Sequence, residues 1–172
     1  MSSVIHASID EHNSTKNGAA GDQTGREVCC AAFNPDRGWN KVLRCTDQNI
    51  AKKMLKKGKK LCDCDLVGYD QNQRNTLHTQ LRAASYNVNN YIATGVKTET
   101  DCSAFMTVLA IAGGISGLEY PDSGNAPTTR TMVSAFTKTG VFQELPYTKG
   151  MFLQPSDILV KEGSHTAMYI GG

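Results

Sequence analysis

The stretch Thr100-Asp101-Cys102-Ser103-Ala104-Phe105 places a thiol where a polar segment becomes an apolar one. From Ala104 to Ala112 almost every side chain is small or apolar, which predicts a helix buried in the core. The N-terminus of a helix carries unpaired N–H groups and a partial positive charge, and both favour a thiolate over a thiol. Cys102 is therefore a candidate nucleophile. The alternative is a buried cysteine that only opens a core helix.

The size and charge of the chain limit its organisation. Its 172 residues predict a single domain, 1–172, with one core. The formal net charge is only +2, although six of the 18 basic residues lie close together: Lys52, Lys53, Lys56, Lys57, Lys59 and Lys60. This cluster predicts a solvated helix face. The alternative is a surface that binds an anionic polymer such as nucleic acid or wall teichoic acid.

Targeting and cysteine patterns indicate where the protein is made. No run of about 18 apolar residues is present, so we expect no membrane span. The N-terminus lacks the pattern of a secretory signal, which predicts synthesis in a cytoplasm. Cys29 and Cys30 are adjacent, and Cys62 and Cys64 are one residue apart, spacings that form poor local disulfides. We expect free thiols and no structural metal, because paired C-x-x-C spacings are missing.

Strand patterns stand at both ends of the chain and helical patterns in the middle. The N-terminal segment 4–9 alternates apolar and polar side chains, with His6 on the face of Val4 and Ser8. Further strands are predicted at 26–32, 141–145, 157–160 and 166–170, and the helical part is predicted over about 47–138. Within it we expect an N-cap at Asp47 with a helix end near Gly58, a second cap at Asp70, and an irregular segment over 87–99. This order predicts an α+β domain, with C-terminal strands at about 141–170 forming an antiparallel sheet on the Cys102 helix.

A second chemical element follows the turn Lys161-Glu162-Gly163-Ser164, where His165 begins a predicted strand. A lone histidine in this position is most often a partly exposed polar residue. A cysteine opening a helix and a histidine opening a neighbouring strand, however, form the arrangement by which a Cys-His pair attacks amides. The imidazole would take the thiol proton and later protonate the leaving amine.

These segments resemble the NlpC-type, papain-like cysteine hydrolases of bacterial cell walls, which have relatives among phage endolysins. Asp101-Cys102-Ser103 before an apolar helix is similar to the nucleophile motif of that family. The run from Asp157 to Gly171 is similar to its histidine strand, and Gly68-Tyr69-Asp70 to its upstream tyrosine segment. The resemblance implies a papain-like fold, a nucleophile at Cys102 and a general base at His165.

One departure from the family pattern concerns the residue that orients the catalytic imidazole. In the family, a strand that reads much like Val-Ile-His-Ala-Ser follows the histidine strand, but here the chain ends at Gly172 and Val4-Ile5-His6-Ala7-Ser8 stands at the N-terminus. We interpret this order as a circular permutation that makes His6 the third catalytic residue. Asp22, Asp70 or a residue beyond the C-terminus are the alternatives.

The resemblance also implies the reaction. The Cys102 thiolate would attack an amide of peptidoglycan, with the oxyanion held by the Cys102 N–H and Tyr69. Asp101 and Ser103 would shape the cleft, and Ser164 would contact the substrate. No metal or other cofactor is implied. A stem-peptide endopeptidase is the first expectation, and an N-acetylmuramoyl-L-alanine amidase is the alternative.

The implied setting is a phage lysin that acts on the bacterial cell wall. It would remain in the host cytoplasm before lysis, with peptidoglycan as partner and a possible wall-binding domain outside this sequence. Two other classes stay open: a polyanion-binding module that uses the basic helix 52–60, and a transferase or deubiquitinase-like cysteine enzyme. Under the hydrolase interpretation, nucleic acid is not an expected partner.

Overall fold

The computed structural model of the chain describes residues 1–9 and 12–172, which form an α+β architecture. The strands are β1 (Ser3–Ala7), β2 (Val28–Ala32), β3 (Lys41–Cys45), β4 (Val67–Tyr69), β5 (Thr98–Thr100), β6 (Phe142–Pro146), β7 (Ile158–Lys161) and β8 (His165–Gly171). The helices are α1 (Gln48–Asp63), α2 (Thr76–Ala83), α3 (Val88–Thr94), α4 (Cys102–Gly113) and α5 (Met132–Thr137).

The main sheet has the strand order β2-β1-β8-β7-β3-β6, and each neighbouring pair is antiparallel. The antiparallel sheet of an α+β domain is therefore confirmed. The order places the N-terminal strand beside the C-terminal one, with Ser3 opposite Gly171. A separate parallel pair joins β4 to β5.

Both faces of the sheet are covered. Ile5 and Ala7 of β1 belong to the main core with α1 and α4, whereas Val4 belongs to a smaller apolar cluster with Trp39 and Leu159. Because side chains alternate along a strand, His6 projects from the face of Val4. The predicted alternation of this strand is confirmed: His6 shares the face of Val4, and Ile5 and Ala7 share the other face.

Helix α4 is the centre of the main core. All 12 of its residues are buried. The helix is therefore stabilised mainly by packing against the rest of the core. It ends at Gly113, and the left-handed backbone of the C-cap residue Gly114 (φ 115°) closes the last turn. Its first residue is Cys102, so the core itself determines where the thiol lies.

The predicted end of α1 near Gly58 is wrong. Asp47 caps α1 as predicted, accepting hydrogen bonds from the N–H groups of Asn49 and Ile50, but the helix continues to Asp63. A Cβ atom at Gly58 would lie 3.2 Å from Cδ1 of Leu109 and 3.3 Å from Cδ1 of Ile5. The glycine therefore permits α1 to approach α4 and β1 closely, and it does not end the helix.

Two other local predictions are wrong: the cap at Asp70 and the irregular segment over 87–99. Asp70 does not cap α2; its side chain accepts a hydrogen bond from the N–H of Asn72, in the turn before the helix. The segment 87–99 is not irregular, because it contains α3 and most of β5. The Asn87 side chain caps α3, and burial of Tyr91 holds this short helix against the core. Tertiary contacts override the polar composition here.

Within the described ranges 1–9 and 12–172, no helix combines the length and apolar character needed to cross a membrane.

Candidate active site

Cys102 is the first residue of α4 and is only 6% exposed. Burial raises the pKa of its thiol to about 11, and the charge of Asp101 adds to this effect. Hydrogen bonds from the backbone N–H groups of Thr166 and Ser103 act in the opposite direction but do not outweigh burial. The N–H group of Ser103 at the helix N-terminus thus lowers the pKa of the thiol in the expected direction, and burial raises it by more.

The contact with Thr166 brings Cys102 to the start of β8. Thr166 directly follows His165 in the chain, and β8 lies beside β1 in the sheet. Cys102 and His165 thus come from α4 and β8, as the sequence predicts. The sheet register then determines which residue of β1 can reach His165.

That residue is His6. Its Nδ1 lies 2.9 Å from Nε2 of His165, and both rings are more than nine-tenths buried. Burial, followed by the nearby positive charge of Arg37, lowers the pKa of His6 to about 4 and that of His165 to about 2. Both imidazoles are therefore neutral at neutral pH, and a neutral imidazole can accept a proton.

The other proposed third residues make different contacts. Asp22 accepts hydrogen bonds from the backbone N–H and the hydroxyl of Thr24. Asp70 accepts from Asn72, as described for the turn before α2. Of these candidates, the structure gives only His6 a hydrogen bond to His165.

Tyr69 approaches the thiol from β4. Burial is the main cause that raises the pKa of its hydroxyl, and the proximity of Cys102 adds to the shift. Gln71 Nε2 donates a hydrogen bond of 3.3 Å to this hydroxyl. Tyr69 therefore lies near Cys102, and it remains a candidate for the oxyanion contact that the resemblance implies.

Arg74 binds both residues that flank Cys102 in the chain, and no local sequence pattern indicated this role. Its guanidinium donates to both carboxylate oxygens of Asp101, at 2.6 and 3.2 Å, and to Ser103 Oγ at 2.8 Å. It also donates to Asn125 Oδ1 and to the carbonyl oxygens of Ala126 and Pro127. Asp101 itself accepts from the N–H of Ala104 as the cap of α4. Asp101 and Ser103, which were expected to shape the cleft, both accept hydrogen bonds from Arg74.

A loop before β3 adds a cation and an aromatic wall that the sequence reading did not assign to the site. The ring of Trp39 lies 6.0 Å from that of His165, and its indole N–H donates to the carbonyl oxygen of Asn34. Exposed Arg37 lies over Trp39, 5.8 Å from the ring centroid. The Asn34-Pro35-Asp36-Arg37-Gly38 turn was the available signal, but a turn alone does not reveal which strand end it covers. Ser164 is exposed in the turn before His165, on the border of the same region.

Within the part of the chain that the structure describes, no group of three or more His, Cys, Asp or Glu side chains is arranged to hold a metal ion.

The paired histidines predict a specific dependence of stability on pH. Their pKa values in the folded protein lie below the ordinary value of 6.5, so below that pH the unfolded chain binds more protons than the folded one. The free energy of unfolding should therefore fall as pH is lowered from 6.5 towards 4, by at most about 1.4 kcal/mol per pH unit for each histidine. Denaturant unfolding at a series of pH values measures this slope.

The variant His6→Asn should reduce the slope, because one buried imidazole is removed. Gln143→Asn, a replacement at an exposed position of β6 that removes no titratable group, is the control and should keep the wild-type slope. The same slope in His6→Asn and in wild type would contradict a neutral, buried pair.

The comparisons with known proteins give the family. A family model described as an endolysin-like domain matches residues 4–172, which is nearly the whole chain. The searches of curated proteins and of solved structures found no match. A family of this description suggests lysis of the bacterial cell wall and a peptidoglycan substrate, in agreement with the sequence prediction of an endolysin. On the strength of this match, the chain belongs to the endolysin-like domain family.

Proposed function

We propose that this protein is a cysteine peptidoglycan hydrolase with a papain-like, circularly permuted catalytic domain. Cys102 is the nucleophile, His165 the general base and acid, and His6 the residue that orients His165. The observations that carry the proposal are the buried 2.9 Å hydrogen bond between His6 and His165 and the hydrogen bond between the Cys102 thiol and the backbone of Thr166, the residue that follows His165. A nucleophile, a base and an orienting group in hydrogen-bonding order are the arrangement of covalent amide hydrolysis.

The first half of the reaction begins from neutral groups. Nε2–H of His165 donates to Nδ1 of His6, which leaves Nδ1 of His165 free to accept the proton of the Cys102 thiol. The thiolate then attacks the amide carbon, and the carbonyl oxygen becomes an oxyanion. The backbone N–H of Cys102 and the hydroxyl of Tyr69 are placed to stabilise this oxyanion.

The second half releases the two products. As the C–N bond breaks, His165 gives its proton to the leaving amine, and the acyl group remains on Cys102 as a thioester. His165 then takes a proton from water, and the hydroxide attacks the thioester carbon. The C–S bond breaks to give a carboxylic acid and the Cys102 thiolate, and His165 returns its proton to the thiolate. Because the pKa of the Cys102 thiol is raised, a general base is needed to remove its proton during the reaction, and His165 is proposed to be that base.

The permutation is supported by the position of β1. Strand β1 occupies the place beside β8 that a following C-terminal strand would take, and with Ile5 opposite Met168 the His6 side chain is close enough to form a hydrogen bond with His165. Chain ends that lie side by side in a sheet are compatible with joining at one site and opening at another. In this arrangement, the residue that orients His165 comes from the N-terminal strand β1 and not from a strand that follows β8.

The bond cleaved is proposed to lie in the stem peptide, with the muramoyl-L-alanine amide as the alternative. Arg37 supports a stem-peptide substrate, since an exposed guanidinium near the histidines favours a carboxylate close to the scissile amide. Stem peptides carry such carboxylates. Trp39 provides an apolar surface beside His165 for the chain that bears them.

The direct test compares wild-type protein with Cys102→Ala on isolated cell walls, following turbidity, new amino groups and the masses of released fragments. We expect the variant to lose activity by roughly 10³-fold or more, because the covalent step is removed. Cys45→Ala is the control, since Cys45 is also a buried cysteine but lies in β3. Fragment masses separate cleavage within the stem peptide from release of a whole stem. Equal activity of wild type and Cys102→Ala would reject this nucleophile.

A second prediction concerns Arg37. On soluble wall peptides, Arg37→Gln should raise KM with a smaller effect on kcat, and amidation of the substrate carboxylate should raise KM for wild type. For Arg37→Gln, amidation of the substrate should change KM little, because this variant lacks the guanidinium that would pair with the substrate carboxylate. Arg82→Gln, which removes a cation paired with Asp122, serves as the control. Equal sensitivity of Arg37→Gln and wild type to amidation would contradict carboxylate recognition.

A further inference from the structure

A cleft between α1 and α3 gathers four ammonium groups. Its volume is about 260 Å³, and it is lined by Lys53, Lys56, Lys57, Lys60, Asn87, Val88 and Asn89. On an α-helix, residues three, four and seven apart lie on one face, so the four lysines form a row along one side of α1. The residues of α3 and its N-cap close the cleft from the other side. The basic helix face is solvent-exposed at Lys53 and Lys56, in agreement with the sequence prediction, and it also forms one wall of a cleft in which Lys57 and Lys60 are half-buried.

The positive charge in this cleft is not neutralised by the protein. Among residues 1–9 and 12–172, no ion pair involves any of the four lysines. Burial, and then the charges of Lys53, Lys60 and Lys56, lowers the pKa of Lys57. The ammonium groups thus repel one another, and an anion in the cleft would relieve the repulsion.

Two of the ammonium groups are also held in place. Lys57 Nζ donates to the carbonyl oxygen of Ala112, near the end of α4, and Lys60 Nζ donates to Asn89 Oδ1 at 2.8 Å. Long lysine side chains usually lose conformational freedom when they bind a ligand. Fixing two of them in advance reduces that cost.

We propose that this cleft binds the phosphate groups of a polyol-phosphate polymer of the cell wall. Lys53 and Lys60 are seven residues apart, which corresponds to about 10 Å along the helix axis. A row of this length faces more than one phosphate of a flexible chain. The amide side chains of Asn87 and Asn89 suit the hydroxyl groups of the polyol.

Nucleic acid fits the cleft less well. Recognition of single strands depends on aromatic rings or arginine planes on which bases stack. The lining of the cleft contains neither; its one apolar side chain is Val88. The choice of a wall polymer rests on the proposed function, whereas the anion site rests on the lysines alone.

The cleft and the catalytic thiol lie at opposite ends of one helix. Lys57 contacts Ala112 near the C-terminal end of α4, and Cys102 begins the same helix. Ten residues of helix separate them by about 15 Å. A polymer in the cleft therefore leaves Cys102 accessible and would keep the protein on its substrate wall between cleavage events.

The test measures binding of poly(glycerol phosphate) and of a single-stranded oligonucleotide with the same number of phosphates, using calorimetry at several salt concentrations. The protein is the full chain carrying Cys102→Ala, so that the readout does not depend on lysis. The test variant adds K53Q and K56Q, and the matched control adds K52Q and K59Q, which change the same charge on the same helix outside the cleft. Circular dichroism and thermal unfolding confirm that each variant is folded.

We expect K53Q/K56Q to weaken polymer binding about twenty-five-fold, at roughly fivefold for each lysine lost. The slope of log K against log salt should fall by roughly 2, while the control should change affinity less than threefold. The oligonucleotide should bind more weakly than the polymer. Equal losses in the two variants, equal or tighter binding of the oligonucleotide, or no polymer binding would each overturn the proposal. None of these results would affect the test of Cys102 on cell walls.

Discussion

The buried ion pair between Arg74 and Asp101 is the interaction on which the site depends. Two buried charges cost solvation energy, and that cost is offset here because Arg74 finds further acceptors on Ser103 and the 125–127 segment. The pair joins three parts of the chain that are distant in sequence: the turn before α2, the start of α4 and the loop that follows it. Since Asp101 also caps α4, this pair sets the position of the thiol at Cys102.

The sheet supplies the second constraint. β1 and β8 come from opposite ends of the chain, yet their register places His6 within hydrogen-bonding distance of His165. Both imidazoles are buried beside a positively charged loop residue, Arg37, so they remain neutral, and the thiol, also buried, remains protonated. The proposed mechanism follows from this balance, because proton transfer to His165 then accompanies substrate binding and attack and does not precede them.

The sequence predicted those parts of the molecule that local pattern determines. The alternation around His6, the cap at Asp47 and the small, apolar run after Cys102 were each sufficient to place an element. Gly58 was misread because a glycine in a helix either ends it or permits close packing, and only the facing helix decides between these outcomes. Arg74 was missed because its partners lie up to 53 residues away, and no local pattern records that distance. The cleft of Lys53 to Lys60 became visible only when α3, absent from the prediction, supplied its second wall.

The measurement that tests the central claim most directly is intact-mass spectrometry of the protein, quenched in acid during turnover of a soluble wall peptide. Covalent catalysis predicts a transient increase in mass equal to that of the acyl fragment, located by digestion on the peptide that contains Cys102 and absent from Cys102→Ala. A His165→Ala variant given an activated ester substrate should accumulate the adduct, because the base that activates water for hydrolysis is missing. Release of product with no adduct at any quench time, in wild type or in this variant, would contradict a thioester on Cys102 and indicate direct attack by water.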